Sequence, residues 1–143
     1  MATTRVLVVA NRTAATPTLL DAVRERAARG SCTFTLLVPN PVHGLDRLSA
    51  EDHDRDEGEA VLELALPLLE AAAGAPVDGL VGDAEPLAAI QDAINLGGYD
   101  ELIISTLPSR VSRWLRLDLP HKAAGLGLPV TTVTARGREA AAV

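Results

Sequence analysis

The chain is poor in three things that most often announce a function. Cysteine occurs once, at Cys32, so neither an intrachain disulfide nor a cysteine-rich zinc site can form. Aromatic residues make up 2% of the chain, one Trp, one Tyr and one Phe. That is too few for a protein that stacks single-stranded bases on aromatic side chains. Neither G-x-x-x-x-G-K-[ST] nor G-x-G-x-x-G occurs, so the two common glycine cradles for phosphates are missing. No apolar run approaches the ~18 residues that span a bilayer. The opening apolar run, in MATTRVLVVANRT, reads as a strand and is too short for a secretory signal. The net charge of −6 works against nucleic acid as a partner. These absences together describe a cytoplasmic protein that touches neither membrane nor nucleic acid.

What is present is an aliphatic core former. Apolar residues are 48% of 143, mostly Leu, Ala and Val, enough for one domain with a substantial core. Residues 5–10, RVLVVA, form a continuous apolar run, the pattern of a strand covered on both faces. Residues 17–28 carry Leu19, Leu20, Val23 and Ala27 at helical spacing, with Thr16 as the expected cap and Pro17 in the first turn. Strands are expected at 33–38, 77–81, 102–105 and 130–133, with helices at 49–73, 86–96 and 110–117. Pro67 falls inside the second helix, where a bend is expected. Strand and helix alternate throughout, which predicts a doubly wound, Rossmann-like α/β domain with a parallel sheet and helices on both faces. The domain is assigned to 1–134, and the tail 135–143 is expected to be weakly ordered.

In such a sheet ligands bind at the carboxyl ends of the strands. The segment 101–133 places Ser105, Thr106 and Ser109 there, followed by Arg110, Arg113 and Arg116. Hydroxyls and arginines suit an anion. The arginines lie three apart, so they share one side of a helix, opposite Val111, Trp114 and Leu115. That pattern fits an anion patch and equally a solvated helix face. Asn11 follows the first strand and can meet a ligand or shape the turn. Val38 ends the second strand, and His121 follows the arginine helix. The crevice set is thus Asn11, Val38, Ser105, Thr106, Ser109, Arg110 and His121. His43, in the loop after the second strand, is a weaker addition. Trp114 is expected as a core or dimer anchor, and Cys32 as a small buried residue at a strand entry.

Two sharper chemistries are poorly supported. The acidic run Glu51, Asp52, His53, Asp54, Asp56, Glu57 contains metal-ligand types, but neighbours on a helix point in different directions, and acids near a helix start favour its dipole. A triad of Ser105 or Ser109 with His121 and Asp118 lacks the G-x-S-x-G elbow. No catalytic or metal residue is assigned.

In order and spacing, the segments RVLVVANRT, VGDAEPLAAIQDAI, YDELIISTLPS and LGLPVTTV resemble the universal stress protein domain over about residues 4–134. Gly82, Asp83 and Pro86 match that family's Gly-Asp-Pro pattern, and Leu128, Pro129 and Val130 its last-strand entry. The resemblance implies strand order 3-2-1-4-5 and dimers paired through the last strand. Members that bind ATP carry an Asp after the first strand and a loop Gly-x-x-Gly, nine residues, Gly-Ser or Gly-Thr. Asn11 falls near that Asp, Thr106 and Ser109 fall on the first two glycines, and Leu119 and Pro120 on the Gly-Ser. Glycine makes the phosphate-facing turn sterically cheap, and Pro120 has no N–H to offer.

The expectation is therefore a non-enzymatic, dimeric regulatory or interaction module with a degenerate nucleotide crevice and no cofactor. It would take a small anion or a protein partner. The alternative is an ATP- or AMP-binding stress protein whose Ser, Thr and Arg residues replace the glycines.

Overall fold

The computed structural model describes residues 3–11, 13–39, 51–108 and 112–135, with side chains except at 51–56. Five strands, β1 (Thr4–Val9), β2 (Cys32–Pro39), β3 (Val77–Gly82), β4 (Glu101–Thr106) and β5 (Val130–Thr134), form one sheet in the order β3-β2-β1-β4-β5. Every pair is parallel; Val8 faces Leu36 on one side and Ile103 on the other. The helices are α1 (Pro17–Ala28), α2 (Glu51–Ala73), α3 (Pro86–Gly97), α4 (Arg113–Arg116) and α5 (Leu119–Ala124).

The central strands are apolar on both sides because both sides are covered. Val6 and Val8 join Leu19 and Val23 of α1 and Leu69 of α2 in one core. Their neighbours Leu7 and Val9 join Ile90 of α3 and Leu119 and Ala123 of α5 in the other. The two-residue period of a strand thus divides four consecutive residues between two helix layers.

The expected helix ends are mostly met, with two physical differences. Thr16 stands before α1, but its side chain makes no cap; its hydroxyl donates to the carbonyl of Thr13, 2.9 Å away. The expected single helix over 110–117 is a short helix, Arg113–Arg116, followed by a second, Leu119–Ala124. Asp118 separates them in the left-handed region, φ 59°. Ser112 caps α4, accepting from the Leu115 N–H at 3.1 Å. Glu85 caps α3, accepting from the N–H groups of Leu87 and Ala88 at 3.3 and 2.7 Å.

Layers are also tied by charge. The Arg26 guanidinium on α1 grips the Glu101 carboxylate on β4, with Nη2 2.7 Å from Oε1 and Nε 3.0 Å from both oxygens. This bidentate hydrogen bonding holds the Arg26 guanidinium above its ordinary range. Cys32 is half-buried at the start of β2, and burial pushes its thiol up, with Arg26 opposing more weakly. Ala135 continues past β5, donating to the Thr106 carbonyl at 2.9 Å; the tail beyond it, expected to be loose, lies outside the described residues.

Candidate functional site

The sheet fixes where a ligand crevice would open. From β1 the chain winds outward through β2 and β3, then returns to add β4 and β5 on the other side. Consecutive crossovers therefore diverge between β1 and β4, and the loops after those strands leave a gap at the carboxyl edge. Asn11 and Thr13 come from the β1 side, Ser105 and Thr106 from the β4 side.

In this gap the polar side chains are bonded to one another. The Ser105 hydroxyl donates to Thr13 Oγ1 at 2.6 Å, and both residues are buried. This bond crosses the divide itself. Thr16, also buried, is turned back on the Thr13 carbonyl. On the neighbouring side, Asn11 Nδ2 donates to the Pro39 carbonyl at 3.1 Å, tying the loop after β1 to the end of β2. Ser105 and Asn11, expected to face a ligand, are thus holding the strand ends together.

Thr106 differs from them. Alternation along β4 sends its side chain to the opposite face from Ser105, the face shared by α3 and α5. Its Oγ1 is buried and has no hydrogen-bond partner, the one such side-chain atom among the described residues. An unsatisfied buried hydroxyl costs about 1–3 kcal/mol.

The other expected residues are scattered in character. Val38 is fully buried in the core beside α1 and α2, which leaves only its main chain for a ligand. His121 is exposed on α5, in a helix and not in the loop expected for it. Ser109 and Arg110 lie outside the described residues, as do His43 and the side chains of the acidic run 51–56. Arg113 and Arg116 are exposed on α4, while Trp114 is half-buried against the core under α3 and α5.

Where the glycine-bearing members of the fold would have Gly-Ser, Leu119 and Pro120 open α5. Leu119 is 2% exposed and belongs to the core. The segment that the resemblance sets at the phosphate is the first turn of a core-packing helix. Pro120 removes one of the N–H groups that a helix start leaves free.

Sequence inspection did not single out Thr13 or Ser112. The signal for both was available: a hydroxyl residue just before a helix-forming run is the ordinary mark of a strand-to-helix turn. Among the described residues no group of His, Cys, Asp or Glu is placed to hold a metal ion, and no helix is long and apolar enough to cross a membrane.

No family model and no curated protein matches this chain. Solved structures do. A universal stress protein from Archaeoglobus fulgidus superposes with TM-score 0.66 at 17% identity, covering 93% of this chain and 95% of that one. A universal stress protein family protein from Arabidopsis thaliana with AMP bound gives 0.63 at 17% identity, over 95% and 94% of the two chains. A universal stress protein in complex with cAMP gives 0.60 at 16% identity, over 96% and 99%. At such identities the agreement is one of backbone, and it extends over nearly the whole of each chain. The observed strand order and the two-sided helix layers are those of these neighbours, so the chain has the fold of the universal stress proteins.

Proposed function

We propose that this protein is a non-enzymatic regulatory or interaction module, dimeric through β5, whose nucleotide crevice is degenerate. The observation that carries the reading is the closure of the crevice on itself. Ser105 is satisfied by Thr13 at 2.6 Å, and Leu119 is packed into the core where a phosphate-binding turn would need glycine. A ligand seeking those hydroxyls must break bonds already made, and a phosphate near Leu119 would meet apolar bulk. Among the described residues the triad does not assemble around Ser105: His121 and Asp118 are exposed, while Ser105 is buried and donates to Thr13. Calorimetric titration with Mg-ATP and with AMP tests the reading. Heats no larger than dilution are expected for both; saturable binding of either overturns it.

A second reading has its own observation. Thr106 Oγ1 is a buried hydroxyl without a partner at the end of β4, and fold neighbours bind AMP, cAMP or dAMP. On that reading hydroxyls and arginines hold ATP or AMP in place of glycine N–H groups. It requires that Arg110→Ala and raised salt both weaken nucleotide binding.

A further inference from the structure

The opposite edge of the sheet from β5 carries a feature that the crevice does not use. β3 is the terminal strand on that side, and a cleft of about 700 Å³ runs beside it between α2 and α3. Its wall includes Leu80, 39% exposed, and Leu96, 89% exposed, beside the buried Ala93. Its charged groups are Glu59, Asp83 and Asp92, all exposed, and among the described residues no basic side chain lines it.

The backbone of β3 is available along this cleft. The Val77 N–H is given to Glu70 Oε2 at 3.1 Å, so Val77 turns its polar groups away from β2. The two-residue period turns those of Gly79 and Val81 the same way, to the open edge. Val77–Gly82 carries no proline, lysine or bulge, and its one charged side chain is the exposed Asp78. The strand is also thin. A Cβ on Gly79 would lie 2.9 Å from Leu62, and one on Gly82 2.9 Å from Ala89 and from Leu37. The glycines let α2 and α3 close down on the strand, leaving its edge recessed between leucines and acids.

We infer that the β3 edge is a docking site for an extended segment of another protein, one in which basic and apolar residues alternate. The segment adds as a further strand: main-chain bonds form with Gly79 and Val81, apolar side chains rest on Leu80 and Leu96 on the α3 side, and basic ones face Glu59 on the α2 side, with Asp83 and Asp92 adding to the acidic rim. Charge selects this occupant over a second copy of the chain. A second β3 edge would bring the same acidic wall, Glu59, Asp83 and Asp92, up against its own counterpart, and like charges repel.

The test uses the full ¹⁵N-labelled protein and a synthetic hexapeptide alternating lysine and valine. Saturable shifts of the Gly79 and Val81 amides are expected. Glu59→Lys with Asp92→Lys, neither of which bears on the core, should weaken the peptide at least tenfold while leaving the spectrum dispersed. A peptide methylated on alternate main-chain nitrogens should lose binding without any change to the protein. The inference is overturned by no binding, by shifts located elsewhere, by equal affinity for a glutamate–valine hexapeptide, or by tolerance of N-methylation. It is equally overturned if sedimentation shows that the peptide merely competes with self-association through this edge.

Discussion

The Ser105 hydroxyl donates to Thr13 Oγ1 across 2.6 Å, joining the end of β4 to the loop after β1 where the sheet's winding reverses. The pair lies at the place where this architecture ordinarily opens to a ligand. Ser105→Ala leaves the Thr13 hydroxyl without its donor in a buried setting. A loss of about 1–2 kcal/mol is expected, read as a lower urea midpoint at unchanged slope. Thr13→Val with Ser105→Ala should cost less than the sum of the single changes, because no buried polar atom is then left alone.

Arg26 and Glu101 form an ion pair between a helix and the sheet, with side chains 10% and 26% exposed. Removing one partner strands the other. Arg26→Met or Glu101→Gln should each cost about 3 kcal/mol. The double replacement Arg26→Met with Glu101→Leu should recover most of that loss, since a packed apolar pair can match a buried ion pair. A thermal denaturation cycle over the four proteins measures the coupling directly.

Cys32 gives the fold a dependence on alkaline pH. Burial raises its thiol pKa in the folded state, so the folded form holds its proton longer than the unfolded one. Its contribution to stability is full below the unfolded thiol value, about 8.5, and is lost as pH rises from there through the folded value. Cys32→Ala should therefore flatten the decline. The difference in urea stability between the two proteins, followed from about pH 7 to about pH 10, should change in that direction.

The edge formed by β5 is less apolar than its composition suggests. Val133 is buried and Val130 half-buried, while Thr131 and Thr132 are exposed. Leu102 donates to the Pro129 carbonyl and Ala135 to that of Thr106, so odd-numbered residues face β4 and Val130, Thr132 and Thr134 face outward. Thr132→Pro removes an outward N–H without touching the bonds to β4. If the chain pairs through this strand, that variant elutes as a folded monomer and the parent as a dimer in light-scattering chromatography.

The sheet was legible because buried parallel strands are written as short unbroken apolar runs, as in residues 5–10 and 33–38. The helix α3 was legible from Leu87, Ile90 and Ile94 at its spacing and from the glycines that end it. The end of the arginine helix was read at 117, one residue past Arg116 where α4 stops, but the second helix α5 was not read. The left-handed Asp118 separates the two. Asp118 followed by Pro120 is a helix-start signal, so α5 was open to inspection. The site was legible in residue type and illegible in role. Ser105 and Asn11 were placed at the crevice, but their partners, Thr13 and the Pro39 carbonyl, depend on which strands become neighbours. The Arg26–Glu101 pair lies 75 positions apart in sequence and follows only from α1 packing over β4.

The most direct test of the closed crevice is native mass spectrometry of the freshly purified full chain, under conditions that preserve non-covalent ligands. A mass equal to two polypeptide chains with nothing added, unchanged after incubation with Mg-ATP or AMP, is the predicted result. A retained adenine nucleotide, or an adduct that saturates on titration, would mean that Thr106 and the arginines do what glycine does elsewhere in this fold, and would contradict the account.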